Sequence, residues 1–256
     1  MCPLCRSHLP PTPKELYVES AETYLSLDKQ VKDWSNLTAS EKRTMDEIVV
    51  KTRAAANMGV RGAEFNLGML YSLGKGVKQN ETEAFVWFCK SAEQGYSASQ
   101  FAVSVRYLKG VGVEQSDPHA AFWCKKAAEQ GNHYAEHNMG LMYRLGKGVE
   151  QNNAQAAFWY NKAANSGFHV SQHNLGIMYI TGTGVPKDDP MAFMWLKKAA
   201  EQGDANAQFA VGTMYGFGAG VKKNTGKERY WLQKASAQGF QAKVTSEQNL
   251  FVNVFF

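Results

Sequence analysis

The sequence predicts an all-α fold in which one unit is copied five times, and three observations carry that reading. Trp87, Trp123, Trp159, Trp195 and Trp231 are spaced by 36 residues without a slip, the mark of a solenoid in which each unit stacks on the next. Tyr71, Tyr107, Tyr143, Tyr179 and Tyr215 hold the same period. So do Gly74, Gly110, Gly146, Gly182 and Gly218, and the next-but-one glycines Gly76, Gly112, Gly148, Gly184 and Gly220. Asn80, Ser116, Asn152, Asp188 and Asn224 repeat as well, and each is a residue type that caps a helix N-terminus. Every unit therefore reads as helix, glycine loop, helix.

Taken in order, the chain opens with Pro10, Pro11 and Pro13 as a stiff hinge. Leu16, Ser20, Tyr24, Leu27 and Val31 then mark one face of a helix. A second helix begins at Thr38, where Glu41 completes a capping-box pattern, and carries Met45, Ile48, Val49, Thr52, Ala55 and Ala56 on one stripe. Ala56 and Gly59 lie one period before Ala92 and Gly95, so this segment is expected to be a degenerate unit capping the stack. In the third unit Ala135, Met139, Met142 and Tyr143 fall on one helical face. The helix is expected to stop at Gly146, which can take the left-handed conformation. Each second helix accepts proline in its first turn, as at Pro118 and Pro190. It is expected to bury its Trp with small residues such as Ala127 and Ala128, and to end at Gly95, Gly131, Gly167, Gly203 or Gly239. At the far end, Leu250, Phe251, Val252, Val254, Phe255 and Phe256 are apolar, where a capping element would be polar.

Units such as Ala135-Glu136-His137-Asn138-Met139-Gly140-Leu141-Met142-Tyr143, then Gly146-Lys147-Gly148-Val149, then Ala157-Phe158-Trp159-Tyr160-Asn161-Lys162-Ala163-Ala164 with Gly167, resemble the Sel-one-like repeat, a relative of the tetratricopeptide repeat. The resemblance implies an antiparallel helix pair per unit, a right-handed superhelix, and a scaffold or adaptor rather than an activity. The organisation expected is residues 1–13 as a disordered N-terminus, 14–60 as a helical cap or degenerate repeat, 61–240 as five repeats, and 241–256 as a tail or cap.

At 256 residues and 44% hydrophobic, the chain can bury a continuous core. No apolar run reaches the length of a membrane span, and the first residues do not read as a secretory signal. A cytoplasmic protein is expected, with the nucleus as the alternative. Four cysteines in a reducing compartment do not suggest a disulfide framework. The net charge of +5 is mild and not gathered into a long basic run, so nucleic acid is not indicated as a partner. Lys125-Lys126, Lys197-Lys198 and Lys222-Lys223 read as a solvated outer face.

Three groups of residues carry candidate sites. Phe65 with Met69 and Ser72, Phe101 with Val105 and Leu108, His137 with Leu141 and Arg144, His173 with Ile177 and Ile180, and Phe209 with Thr213 and Gly216 form stripes beside the packing face of successive first helices. By resemblance to tetratricopeptide repeats these stripes line the concave surface, where they would receive a peptide or helix. Equally, they read as interior residues between helices. His133 and His137, repeated as His169 and His173, have metal-ligand spacing, but the equivalent Phe65, Phe101 and Phe209 point to a position that wants an aromatic ring. Cys2 and Cys5 are spaced like a zinc-binding pair, and Cys2-Pro3-Leu4-Cys5-Arg6 resembles the last ligand pair of a RING finger. Two thiolates do not complete a tetrahedral site, so no cofactor is expected, and zinc only if the remaining ligands lie upstream.

Enzyme motifs are missing. The glycines from Gly68 to Gly74-Lys75 miss the phosphate-loop spacing, with Gly76 in the Ser/Thr place. The Gly-x-Gly loops follow helices and not strands, and Ser26 with Lys29 has no partner motif. No small-molecule substrate is evident. The expected function is a non-catalytic scaffold binding other proteins. The alternatives are the substrate-recognition part of a truncated RING-type ubiquitin ligase and a nucleic-acid-binding helical solenoid.

Overall fold

The computed structural model describes residues 10–239. Among these residues all regular structure is helical: α1 (Pro13–Gln30), α2 (Ala39–Asn57), α3 (Arg61–Leu73), α4 (Glu81–Glu93), α5 (Ser97–Lys109), α6 (Asp117–Glu129), α7 (His133–Leu145), α8 (Asn153–Asn165), α9 (His169–Thr181), α10 (Asp189–Glu201), α11 (Ala205–Phe217) and α12 (Thr225–Ala237). The odd-numbered helices from α3 onward are the first helices of the five repeats, and the even-numbered ones from α4 are the second. Two compact units divide the chain, one running up to Gln130 and the other starting at Gly131. Within each unit, every helix packs on the next in sequence. Leu250 to Phe256 lie outside the described residues.

Local chemistry accounts for the helix boundaries. Gly74, Gly110, Gly146, Gly182 and Gly218 end the five first helices in the left-handed conformation, which costs glycine nothing because it lacks a Cβ. The chain then loops back. The backbone N–H at each second-helix cap donates to the carbonyl of the periodic tyrosine, as from Asn80 to Tyr71 at 3.0 Å and from Asp188 to Tyr179 at 3.0 Å. Asn80, Asn152, Asp188 and Asn224 accept first-turn amides through their side chains. Ser116 departs from the expected pattern. Its hydroxyl lies 2.7 Å from His119 Nδ1 and does not cap α6. Two first helices carry side-chain caps of their own, Asn132 on α7 and Asp204 on α11.

Upstream, the expected Thr38–Glu41 capping box forms. A second box, Thr12 with Glu15, starts α1 at Pro13, so Pro13 belongs to the helix and not to a hinge. All six residues of the α2 stripe, Met45, Ile48, Val49, Thr52, Ala55 and Ala56, are buried.

The cores follow the repeat with one correction. Trp159, Trp195 and Trp231 are buried, but Trp87 and Trp123 are only half-buried. On four of the five second helices the residue after the tryptophan lies deeper than the tryptophan itself: Phe88, Cys124, Tyr160 and Leu196 are fully buried, while Leu232 on α12 is half-buried. Phe88 and Tyr160 occupy space left by Gly68 and Gly140 on the preceding helix, where an added Cβ would stand 2.9 Å from the Phe88 ring and 2.6 Å from the Tyr160 ring. The second glycine of each loop serves a different contact. A Cβ on Gly112, Gly184 or Gly220 would collide with the backbone carbonyl of Glu81, Asn153 or Asp189, at the start of the second helix one repeat earlier.

A buried polar ladder joins the same elements. Gln100, Gln172 and Gln208 donate to the carbonyls of Ala92, Ala164 and Ala200 at 3.1–3.2 Å, at the end of the preceding repeat. Their side-chain oxygens accept from Gln130, Gln202 and Gln238 at 2.7–2.9 Å. Glu64 accepts in the same way from Gln94 at 2.7 Å. In the third repeat the partner position is Ser166, and among the described residues Glu136 keeps a buried Oε2 with no hydrogen-bond partner.

Candidate functional site

The first-helix stripe takes its clearest form in the first unit. Between α1 and α3, floored by α2, lies a cleft of about 360 Å³. Its walls include Tyr17, Tyr24 and Leu25 of α1 and Phe65, Met69 and Leu73 of α3. Gly62 sets the approach, because its missing Cβ leaves room for the Tyr17 ring, which would otherwise stand 2.7 Å away. Phe65 packs on the rings of Phe88 and Tyr96 with centroids 5.5 and 5.4 Å away. Leu25 and Leu73 are more than half exposed, and Met69 is also exposed. Exposed apolar side chains bordering an open cleft are uncommon on a surface that faces only water. Further along this face, Phe101 is half-buried.

At the next junction the face becomes polar. Arg106 stands where the other four first helices bury Leu70, Met142, Met178 or Met214. It donates to Ser72 Oγ at 2.8 Å and Glu81 Oε2 at 3.0 Å, and lies 4.4 Å from the Phe88 ring centre.

In the second unit His137, Leu141, His173, Ile177 and Phe209 are half-buried, while Arg144 is exposed. Half-burial stands between the two expectations from sequence, an open groove and an interior position. His137 Nδ1 lies 2.8 Å from Ser171 Oγ, and its ring packs on Tyr160 and Phe168 at 5.4 and 5.2 Å. Burial, aided by the Arg144 charge, pushes its pKa down to about 4. Burial likewise lowers that of His173, against the pull of Asp204. Phe168 is the centre of a ring cluster with His133, Tyr134, His137 and His169 at 5.2–6.0 Å. His169 faces Asp204 at 3.6 Å.

Three of the four paired histidines, His133, His137 and His169, thus surround an aromatic ring, and among the described residues no cluster of three or more His, Cys, Asp or Glu side chains is placed to hold a metal ion. Burial raises the Cys89 thiol to about 11 and Cys124 to about 12, so neither ionises at neutral pH. Cys2 and Cys5 lie outside the described residues. Among those residues no helix is long and apolar enough to cross a membrane.

The Sel1 repeat model matches residues 62–96, 97–132, 133–168, 169–204 and 205–240. The RING-like reading of Cys2 and Cys5 is not borne out. No curated protein matches the chain. Among solved structures, the chain is similar to c5321, a protective antigen of uropathogenic Escherichia coli with an SLR fold, at 32% identity and a TM-score of 0.76; the match covers 90% of this chain and 50% of the antigen. This chain therefore spans about half the length of that relative. It is also similar to a Sel1 repeat protein from Oxalobacter formigenes, at 28% identity and a TM-score of 0.74, covering 88% of this chain and 83% of that one. With five matched repeats and the helix pairs, loops and caps described above, the chain belongs to the Sel1 repeat family, whose members are in general non-catalytic scaffolds that mediate protein–protein interaction.

Proposed function

We propose that this protein is a scaffold that binds a peptide or helix of another protein along its first-helix face, with the α1–α3 cleft as the anchoring site. The observation that carries this reading is the coincidence of the cleft with the periodic stripe: Phe65 and Met69, one turn apart on α3, form its wall. A helix or extended peptide places one or two apolar anchors in such a pocket, and a few buried anchors carry most of an interface's affinity. The half-buried ring of Phe101 would extend the surface within the first unit, and those of His137, His173 and Phe209 would offer a similar surface within the second. Leu141, Ile177 and the exposed Arg144 flank it. The reading needs no cofactor and no catalytic group.

A photo-crosslinking residue at Leu73 in the full chain tests this. It should capture a protein partner whose crosslinked peptide is rich in apolar residues, and Met69→Asp should abolish the capture. Val50→Asp, at an exposed site outside the cleft, should not. Both variants should melt with the parent. Undiminished capture by Met69→Asp, or equal loss in both variants, would overturn the reading.

A further inference from the structure

Val86, Phe122, Phe158, Met194 and Tyr230 keep the 36-residue period on the second helices, and all five are exposed. Large apolar side chains exposed at one register of every repeat are not the single scattered ones that any surface carries. Four residues on, Lys90, Lys126, Lys162, Lys198 and Lys234 keep the period too.

In the first unit, Lys90 Nζ lies 3.9 Å from the Trp87 ring centre, and Lys126 Nζ lies 4.6 Å from Phe122 and 5.3 Å from Trp123. In the second, Lys162 sits 5.4 Å from Phe158 and 4.9 Å from Trp159. Lys198 sits 4.3 Å from Trp195, and Lys234 is 4.9 Å from Tyr230 and 5.4 Å from Trp231. Helical spacing brings each lysine back over the rings one turn before it, and the ring faces attract the ammonium.

A ring does not cancel the charge. Among the described residues none of these five lysines has a carboxylate within ion-pair distance, although the charges of Lys90 and Lys162 act at longer range on Glu64 and Glu136. Lys125 and Lys197, each one residue earlier, are joined to Glu129 at 3.8 Å and Glu201 at 3.5 Å.

We infer that the aromatic–lysine stripe of each unit, on α4 and α6 in one and on α8, α10 and α12 in the other, is a docking surface for an acidic polypeptide segment carrying apolar side chains. Carboxylates of the segment meet the lysines, none of which is held in an ion pair, and its apolar groups cover Phe158, Met194 and Tyr230. Charge complementarity selects the sign of the partner. The lysines already sit on the ring faces that a nucleobase would stack on, and Val86 and Met194 offer no such face. None of these residues lines the α1–α3 cleft, so the inference stands apart from the first-helix reading.

The test measures fluorescence anisotropy of short labelled peptides on the full chain at low salt. One peptide alternates two glutamates with one phenylalanine, a second has lysine for glutamate, and a third has serine for phenylalanine. The first should bind, and the other two should bind at least roughly tenfold more weakly. Lys162→Met, Lys198→Met and Lys234→Met together keep the stems over the rings and remove only charge. They should weaken the first peptide by a similar factor while leaving the circular dichroism melt in place. Lys125→Met, Lys197→Met and Lys223→Met change the net charge equally and should leave binding unchanged, as should Met69→Asp. The inference is overturned if the first peptide does not bind, or if both triple variants weaken it alike. It also falls if polyuridine or phosphatidylserine vesicles displace it while the serine peptide binds equally well, since the stripe would then read charge alone.

Discussion

His137 stands where three other repeats have phenylalanine, and its ring keeps the packing that phenylalanine would make. Burial favours the neutral form, so the folded protein takes up this proton only near pH 4, whereas an exposed imidazole does so near 6.5. Below pH 6.5 the unfolded chain binds more protons. The stabilisation from the neutral ring is therefore complete above pH 6.5, shrinks as pH falls, and is lost once pH has passed through 4. His137→Phe should unfold in urea within about 1 kcal/mol of the parent at pH 7.5, the cost being the Ser171 hydrogen bond. At pH 5 it should have lost less stability than the parent has. Parallel losses in the two proteins between pH 7.5 and 5 would place the titrating group elsewhere, with His173 next in line.

At the scale of helices and their junctions, the informative site is the interrupted ladder. Ser166 is too short to reach Glu136, while Gln94 reaches the equivalent Glu64. Ser166→Gln should supply the missing donor and raise stability by about 1 kcal/mol, read from chemical denaturation. A neutral or negative effect would mean that Glu136 is satisfied by solvent. The ladder was readable in principle, since Gln94, Gln130, Gln202 and Gln238 keep the 36-residue period. It goes unnoticed because glutamine on a helix looks like a solvent-facing residue, and only tertiary packing buries its partner. The α2 stripe was legible in full because apolar side chains at helical spacing have few other places to go. The shallow burial of Trp87 and Trp123 was not, because periodicity marks a repeated position without giving its depth. The α1–α3 cleft was equally hidden. It depends on Tyr17 meeting Gly62 across the intervening helix, and no local pattern encodes that contact.

For the molecule as a whole, stability in a repeat array is close to a sum of units and nearest-neighbour junctions. Residues 169–204 form one full repeat inside the second unit. Removing them joins Phe168 to Ala205, so α11 takes the place of α9 on α8. Gln208 then stands where Gln172 stood, opposite the Ala164 carbonyl, and Gly220 stands where Gly184 stood, opposite Asn153. This shortened chain should stay helical and melt cooperatively by circular dichroism. A deletion from the same start but six residues longer, which throws Gly220 out of register with Asn153, should not. Equal behaviour of the two deletions would show that the junctions tolerate any register.

Gly112, Gly184 and Gly220, which leave a side chain's worth of room for the neighbouring backbone, therefore act as punctuation. Each block carries its own seam, so gene duplication and loss can lengthen or shorten the array in steps of 36 residues, much as a reading frame survives insertions of three. An unequal crossover that changes the length by any other step puts a Cβ against a carbonyl, and selection would remove it. The unbroken tryptophan spacing is what such a history would leave behind.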